Sequence, residues 1–263
     1  MQVRSMRAGL IGVGLVLLAA SSGAAAAAEA AAAAHEGEGG LNWQAWKAGN
    51  DVKSTTSLQR GAAEFVNYCS GCHSLKYMRW SRLGTDLQIP DNVLRDELLP
   101  PDAKSGDYML ASFPKADAEN WFGKQPPDLS LEVRVRGANW IYQYLKGFYV
   151  DSSRPTGTNN LVLEGTAMPA VLSSLEGVKA AVFSRPPVSG EPRLVDHFQS
   201  VSPGSLTGEQ YDAFVRDIVN FLDYASDPSQ VERRAIGIWV VLFLLWFTAC
   251  AWMLKKEYWK DVH

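Results

Sequence analysis

Two cysteines and a histidine form the one pattern in the chain whose spacing points to a definite chemistry. Cys69-Ser70-Gly71-Cys72-His73 is a C-x-x-C-H sequence. Two thiols at this spacing can each form a thioether with a vinyl group on one edge of a porphyrin, and the histidine that follows then lies beneath the iron. The motif predicts covalent attachment of one haem c through Cys69 and Cys72, with His73 as the proximal iron ligand.

Two other uses of a C-x-x-C pair are less well supported. A structural zinc site needs a second pair of ligands, and the third cysteine, Cys250, lies in an apolar segment near the C-terminus. A thiol–disulfide pair is expected after a thioredoxin-like strand, whereas the residues before Cys69 have helical spacing. The surrounding sequence therefore favours haem attachment.

An iron that only transfers electrons needs a second protein ligand on the opposite haem face. Several candidates lie in segments unsuited to that position: His35, His197, His263, Met6, Met78 and Met253. Met109 and Met168 remain. The glycine and proline of Gly165-Thr166-Ala167-Met168-Pro169 predict a loop that could present a thioether, so Met168 is preferred and Met109 stays open as the alternative.

Two amphipathic helices are predicted to position the motif. The residues before Cys69 repeat apolar side chains at helical spacing from Leu58 onward, after a possible capping box at Thr56–Gln59. A second helix over 209–224 follows the capping box Thr207–Gln210. We expect these two helices to pack against each other beside the haem.

The rest of the exported part is predicted to be helix and loop. A third helix is predicted over residues 139–146, ended by Gly147. No convincing alternation of apolar and polar residues indicates strands, and the Pro- and Asp-rich segment 90–127 is expected to be mostly loop. The fold class predicted from these patterns is mainly α.

The two ends carry membrane signals. Residues 1–34 have the basic start, short apolar run and small residues of a secretory signal peptide, followed by an Ala-rich spacer. Residues 235–254 contain no charge and would form a helix of about 30 Å, the thickness of the hydrocarbon core. The chain should therefore be exported and anchored once, near its C-terminus.

These segments define an expected domain organisation. A periplasmic haem domain spans 41–227, a linker 228–234, a transmembrane helix 235–254 and a cytoplasmic tail 255–263. The lysines of the tail agree with the positive-inside rule and indicate that the tail is cytoplasmic. The expected location is a bacterial inner (cytoplasmic) membrane. The net charge of −3 argues against a nucleic-acid partner.

The sequence resembles the cytochrome c1 family, whose members bear the haem of the quinol–cytochrome c oxidoreductase (cytochrome bc1) complex. Features that carry the resemblance occur in order along the chain: the haem motif at 69–73, Pro126-Pro127-Asp128-Leu129-Ser130 with Arg134 and Arg136 after it, Ala167-Met168-Pro169, and the single span at 235–254. The Pro-Pro-Asp-Leu-Ser block is far more specific than the haem motif alone.

The resemblance implies a mainly α fold, a cytochrome c-type haem domain with enlarged loops plus one C-terminal transmembrane helix, and it implies roles for particular residues. It implies Met168 as the sixth iron ligand, Pro126 and Pro127 along the haem, and Arg136 paired with a haem propionate. Without the resemblance, Arg134 and Arg136 would be interpreted as a solvated basic pair. Some bacterial relatives have a disulfide near the axial methionine, which this chain lacks the cysteines to form, so its loop should be held by packing alone.

The implied function is electron transfer. The chain would take single electrons from a Rieske iron–sulfur protein and pass them to a c-type cytochrome, beside cytochrome b, and would not be catalytic on its own. One alternative is an anchored cytochrome c subunit of another oxidase or dehydrogenase. A second is a haem-based sensor with an open iron site.

Overall fold

The computed structural model describes residues 40–184 and 194–261, which belong to two compact units. The larger unit contains residues 42–182 and the described residues from 198 onward. In the smaller unit, the Leu41 N–H donates to the Val195 carbonyl and the Ser184 N–H to the Leu194 carbonyl. The expected signal peptide and spacer over 1–34 lie outside the described residues.

The described residues are mostly helical, which confirms the expected fold class. Their α-helices are α1 (Thr55–Tyr68), α2 (Trp80–Asp86), α3 (Asp91–Val93), α4 (Lys115–Phe122), α5 (Glu132–Arg136), α6 (Ala138–Lys146), α7 (Ser173–Glu176), α8 (Gly208–Ser226) and α9 (Gln230–Tyr258). A 3-10 turn covers Trp43–Ala45, and a π-helical stretch, Leu94–Leu98, continues α3.

Short strands pair into small sheets, and the expectation of no strands is wrong. The strands are β1 (Leu75–Arg79), β2 (Tyr108–Met109), β3 (Phe148–Val150), β4 (Thr158–Asn160), β5 (Gly177–Phe183) and β6 (Val195–Pro203). They pair β1 with β2, β3 with β4, and β5 with β6. Several contain only two or three residues, too few to show an apolar–polar alternation in the sequence.

Helices α1 and α8 pack against each other, as their apolar spacing predicts. The ring centroids of Phe65 and Phe221 are 5.5 Å apart. Gly61 permits this close approach, because a Cβ there would lie 2.0 Å from the Asp217 carbonyl oxygen. The half-buried side chains of Cys69 and Met168 pack against the same hydrophobic core, so the fold places both predicted haem-binding segments around one core.

The two predicted capping boxes have different outcomes. At α8, the Gln210 N–H donates to the Thr207 hydroxyl at 3.3 Å, and the Thr207 N–H donates to the Gln210 side-chain oxygen at 2.9 Å. The box predicted at Thr56 is wrong, since α1 begins at Thr55 and its N-cap, Ser54, accepts no side-chain capping bond. The segment 90–127, expected to be mostly loop, also contains α3, β2 and α4.

Helix α9 contains the whole predicted span. Among the described residues it is the one helix long and apolar enough to cross a membrane, and its most apolar stretch is not covered by the rest of the chain. It begins at Gln230, so the last residues of the segment expected as a linker, 230–234, are helical and continuous with the span.

Candidate haem site

The cysteine pair lies in a tight turn at the C-terminal end of α1. The Cys69 N–H donates to the Phe65 carbonyl at 2.8 Å and completes the last turn of the helix. The N–H groups of Cys72 and His73 both donate to the Cys69 carbonyl, at 3.1 Å and 2.9 Å. Both thiols are free of disulfide bonds, so both sulfurs are available for thioether bonds.

The imidazole of His73 is oriented by the Pro-Pro-Asp-Leu-Ser block. Its Nδ1–H donates to the Pro127 carbonyl oxygen at 2.8 Å. A carbonyl only accepts, so this bond places the proton on Nδ1 and leaves the Nε2 lone pair free, as an iron ligand requires. Burial lowers the pKa of His73 below its usual range, which favours the neutral, ligating form.

Residues 127–130 are docked on the strand that follows the haem motif. The Asp128 carboxylate accepts from the Lys76 N–H at 2.9 Å, and the Ser130 hydroxyl accepts from the Tyr77 N–H at 3.3 Å. The Ser130 side chain is buried. These bonds hold the Pro127 carbonyl against the His73 imidazole. The Pro-Pro-Asp-Leu-Ser block therefore positions the histidine of the haem motif.

Apolar surface next to the motif is open to solvent. The Phe113 N–H donates to the Gly71 carbonyl at 3.1 Å and fixes its segment beside the motif turn. Leu110 in that segment is 60% exposed, and Trp121, whose ring centroid is 5.7 Å from that of Phe113, is 72% exposed. Two free thiols, an oriented imidazole and nearby apolar side chains fit a porphyrin, which would cover such surface.

The Cys69 thiol has the properties of a structural rather than a redox cysteine. Burial, with smaller contributions from Glu64 and Cys72, raises the pKa of Cys69 to about 12. Cysteines that exchange disulfides have lowered thiol pKa values, because the thiolate is the nucleophile. This environment therefore argues against the thiol–disulfide alternative.

The two candidate methionines differ in their surroundings. Met109 is 2% exposed in β2, where it pairs with Leu75 and belongs to the hydrophobic core. Met168 is half-buried and borders an open cavity of about 210 Å³ that is also lined by Leu145 and Phe148. A half-buried thioether keeps a free face for a ligand, whereas one enclosed by the core has none. The surroundings favour Met168, whose role as a ligand stays a prediction.

Hydrogen bonds hold the loop that carries Met168, so the expectation of packing alone is wrong. The Gly165 N–H donates to the Asn159 side-chain oxygen at 2.9 Å, and the Asn160 amide donates to the Tyr144 carbonyl at 2.8 Å. The Tyr144 hydroxyl shares a hydrogen bond of 2.7 Å with the Thr166 hydroxyl. Both asparagines are fully buried. No short motif marks these residues in the sequence, so their role is visible only in the fold.

Arg134 and Arg136 have different partners. The Arg136 guanidinium donates to the Glu132 carboxylate at 2.8 Å and lies 4.3 Å from the centre of the Trp140 ring. Arg134 instead donates to Asp227 at 2.8 Å, near the base of α9. Neither is simply a solvated basic residue. Arg136 remains the predicted propionate partner, while Arg134 connects α5 with the start of the anchor.

Comparison with known proteins identifies one family. The sequence profile of the Cytochrome C1 family matches residues 49–262. Cytochrome c1 of Allochromatium vinosum is 48% identical over 213 residues, covering 81% of this chain and 87% of that protein. The ammonia monooxygenase gamma subunit of Nitrosomonas europaea is 42% identical over 217 residues, covering 82% of this chain and 88% of that protein.

A longer relative contains the same region. The protein named cytochrome b/c1 of Bradyrhizobium diazoefficiens is 27% identical over 240 residues, covering 79% of this chain and 33% of that protein. The profile match extends from the segment before α1 through the C-terminal helix, and the similarity to the Allochromatium protein spans most of both chains. The chain therefore belongs to the cytochrome c1 family.

Proposed function

We propose that this chain is the membrane-anchored haem c subunit of a quinol–cytochrome c oxidoreductase, carrying single electrons from a Rieske iron–sulfur protein to a c-type cytochrome. The observation that supports this most directly is the hydrogen bond from His73 to Pro127. It joins the general haem-attachment motif to the sequence block on which the family resemblance depends, and it orients the imidazole as an iron ligand.

Each predicted site residue has a definite task in this function. Cys69 and Cys72 hold the haem covalently, His73 and Met168 ligate the iron, and Arg136 neutralises a propionate while Pro126 and Pro127 lie along the ring. When bound, haem c supplies a carrier for one electron. A methionine thioether favours the reduced iron and so raises the reduction potential. The chain forms no bond with quinol, and none of its residues is catalytic.

The anchor places this electron carrier at the membrane surface. We propose that the haem domain lies in the periplasm of a bacterium, with α9 crossing the inner membrane and the tail lysines on the cytoplasmic side. The neighbouring subunits would be cytochrome b and the Rieske protein. The Bradyrhizobium relative named cytochrome b/c1 supports a cytochrome b neighbour.

Isolation from membranes in mild detergent tests the assignment. We expect a red chain that keeps its haem through acid acetone and that copurifies with a cytochrome b and a Rieske protein. A colourless denatured chain would refute covalent haem attachment. Copurification with subunits of a different oxidoreductase would instead support the second candidate, a haem subunit of another enzyme, which the similarity to the Nitrosomonas gamma subunit favours.

Carbon monoxide distinguishes a closed iron site from an open one. The reduced wild-type protein should not bind carbon monoxide readily, whereas Met168→Leu should bind it and have a lowered reduction potential. Met109→Leu is the matched control and should behave as wild type, because Met109 lies in the core. Ready binding by wild type would favour the sensor alternative and remove Met168 from its role.

A further inference from the structure

The loop carrying Met168 needs something other than apolar packing to fix its thioether. Met168 is half-buried, and one side of it borders the open cavity of about 210 Å³ described above. Dispersion contacts are lost on the side of a group that faces a void. The loop is held instead by hydrogen bonds at Gly165 and Thr166. Thr166, two positions before Met168, is almost fully buried.

Tyr144 is itself a rigid support. Its ring stacks on Trp140 with centroids 5.3 Å apart and planes 6° from parallel, and it meets Phe148 edge-on at 5.2 Å. The Asn160 side chain donates to its carbonyl at 2.8 Å. Because the Tyr144 ring is already packed against two other rings, it loses little further conformational freedom when its hydroxyl makes a hydrogen bond. The bond of 2.7 Å to Thr166 therefore ties the methionine loop to helix α6.

The stack connects both sides of the candidate site. Arg136, the predicted propionate partner, lies over Trp140, which stacks on Tyr144, which bonds Thr166 in the loop of Met168. One continuous series of side chains therefore runs from the end of α5 to the methionine loop. A shift of Tyr144 would change the position of the thioether relative to the imidazole.

We propose that Tyr144 is a positioning residue whose hydroxyl, through Thr166, keeps the Met168 thioether on the haem iron. The proposal rests on the proposed function, in which Met168 is the sixth ligand. Loss of the hydroxyl should let the loop move toward the cavity and lengthen the time that the iron spends without its thioether.

The test uses the full-length haem protein in its detergent-solubilised complex. Tyr144→Phe and Thr166→Val each remove one hydroxyl with little change of shape. Tyr142→Phe is the matched control, because its hydroxyl lies on the same helix and bonds only weakly to Lys146, at 3.4 Å. Thr166→Ser keeps the hydroxyl and should restore wild-type behaviour. The readouts are carbon monoxide affinity of the reduced protein and the methionine–iron charge-transfer absorption of the oxidised protein.

We expect Tyr144→Phe and Thr166→Val each to raise carbon monoxide affinity about fivefold and to weaken the charge-transfer absorption, since one net hydrogen bond is lost. The double variant should match the single ones, because both hydroxyls serve one bond. If both single variants match Tyr142→Phe while wild type excludes carbon monoxide, the role of Tyr144 is refuted and the proposed function stands. If wild type itself binds carbon monoxide readily, Met168 is not the ligand and both proposals are refuted.

Discussion

Ser130 shows how a small side chain can control a ligand it does not touch. Its buried hydroxyl accepts from the Tyr77 N–H, and Asp128 beside it accepts from the Lys76 N–H. Together these bonds dock the segment whose Pro127 carbonyl orients His73. The orientation of the imidazole therefore depends on the side chains of Asp128 and Ser130, which lie outside the haem motif and bind the backbone of β1.

Removing the Ser130 hydroxyl should destabilise this docking. In Ser130→Ala the Tyr77 N–H loses its acceptor, and the loss of one such hydrogen bond costs about 0.5–1.5 kcal/mol. We expect a lower midpoint of thermal unfolding, measured by circular dichroism in detergent. Ser152→Ala, at an exposed position, is the control and should unfold as wild type does. Equal midpoints for both variants would show that the Tyr77 N–H finds another partner.

Glu64 is a titratable group placed in an unfavourable environment. One of its carboxylate oxygens is buried without a hydrogen-bond partner among the described residues. Burial, and the nearby Asp217 carboxylate to a smaller extent, raise the pKa of Glu64 to about 8. The folded protein therefore holds this proton up to a pH at which the unfolded chain has already released it.

The raised pKa predicts a loss of stability with increasing pH. Between the ordinary pKa of a glutamate, about 4, and the folded value of about 8, the folded state binds more protons, so the free energy of unfolding falls as pH rises. Glu64→Gln should remove this slope and gain about 1–3 kcal/mol at pH 9. Thermal unfolding of wild type and Glu64→Gln between about pH 4 and about pH 9 measures the difference in stability. Parallel pH profiles for the two proteins would contradict the prediction.

Among the helices, the pairing of α1 with α8 is the contact on which the haem motif depends most. Its two strongest features are the Phe65–Phe221 ring contact and the close approach at Gly61. The apolar spacing of both helices was visible in the sequence, because helical periodicity over many residues is a strong signal. The short strands were missed, because their pairing depends on distant partners.

Gly61→Ala should separate this helix pair. Alanine adds about 1 kcal/mol of helix propensity, but its Cβ would lie 2.0 Å from the Asp217 backbone oxygen, so the helices must move apart. The clash should outweigh the propensity gain and give a net loss of about 1–3 kcal/mol, seen as a lower unfolding midpoint. Gly208→Ala is the control, since nothing lies within 4 Å of its Cβ position. An unchanged midpoint for Gly61→Ala would contradict the close approach.

The connection of the haem domain to its anchor depends on Asp227. This carboxylate follows α8 and accepts from Arg134 of α5 and Arg233 of α9. Hydrogen bonds from Arg233, and to a smaller extent from Arg134, lower the pKa of Asp227 to about 2. This one carboxylate therefore connects the start of the apolar helix α9 with α5, which limits how α9 can reorient relative to the helices before it.

Asp227→Ala should loosen this junction. We expect faster cleavage of the chain around residues 227–234 in limited proteolysis, with the haem spectrum unchanged. Asp91→Ala removes an exposed pair with Arg95 and serves as the control. Because the pKa of Asp227 is lowered, its stabilisation is present above about pH 4 and is lost as pH falls toward about 2. Equal cleavage of wild type and Asp227→Ala would contradict the role of the junction.

Local sequence patterns were sufficient for the haem motif, the two main helices and the membrane span, because each depends on residues close together in the chain. The tautomer of His73, the clamp of Tyr144, Asn159 and Asn160 on the methionine loop, and the link from Arg134 to Asp227 depend on residues far apart. Such contacts arise only when packing brings distant segments together, and buried polar groups must then find partners there. For this reason the haem motif could be recognised in the sequence, and the iron ligands it indicates stay predictions, while the contacts that hold these residues became visible only in the folded chain.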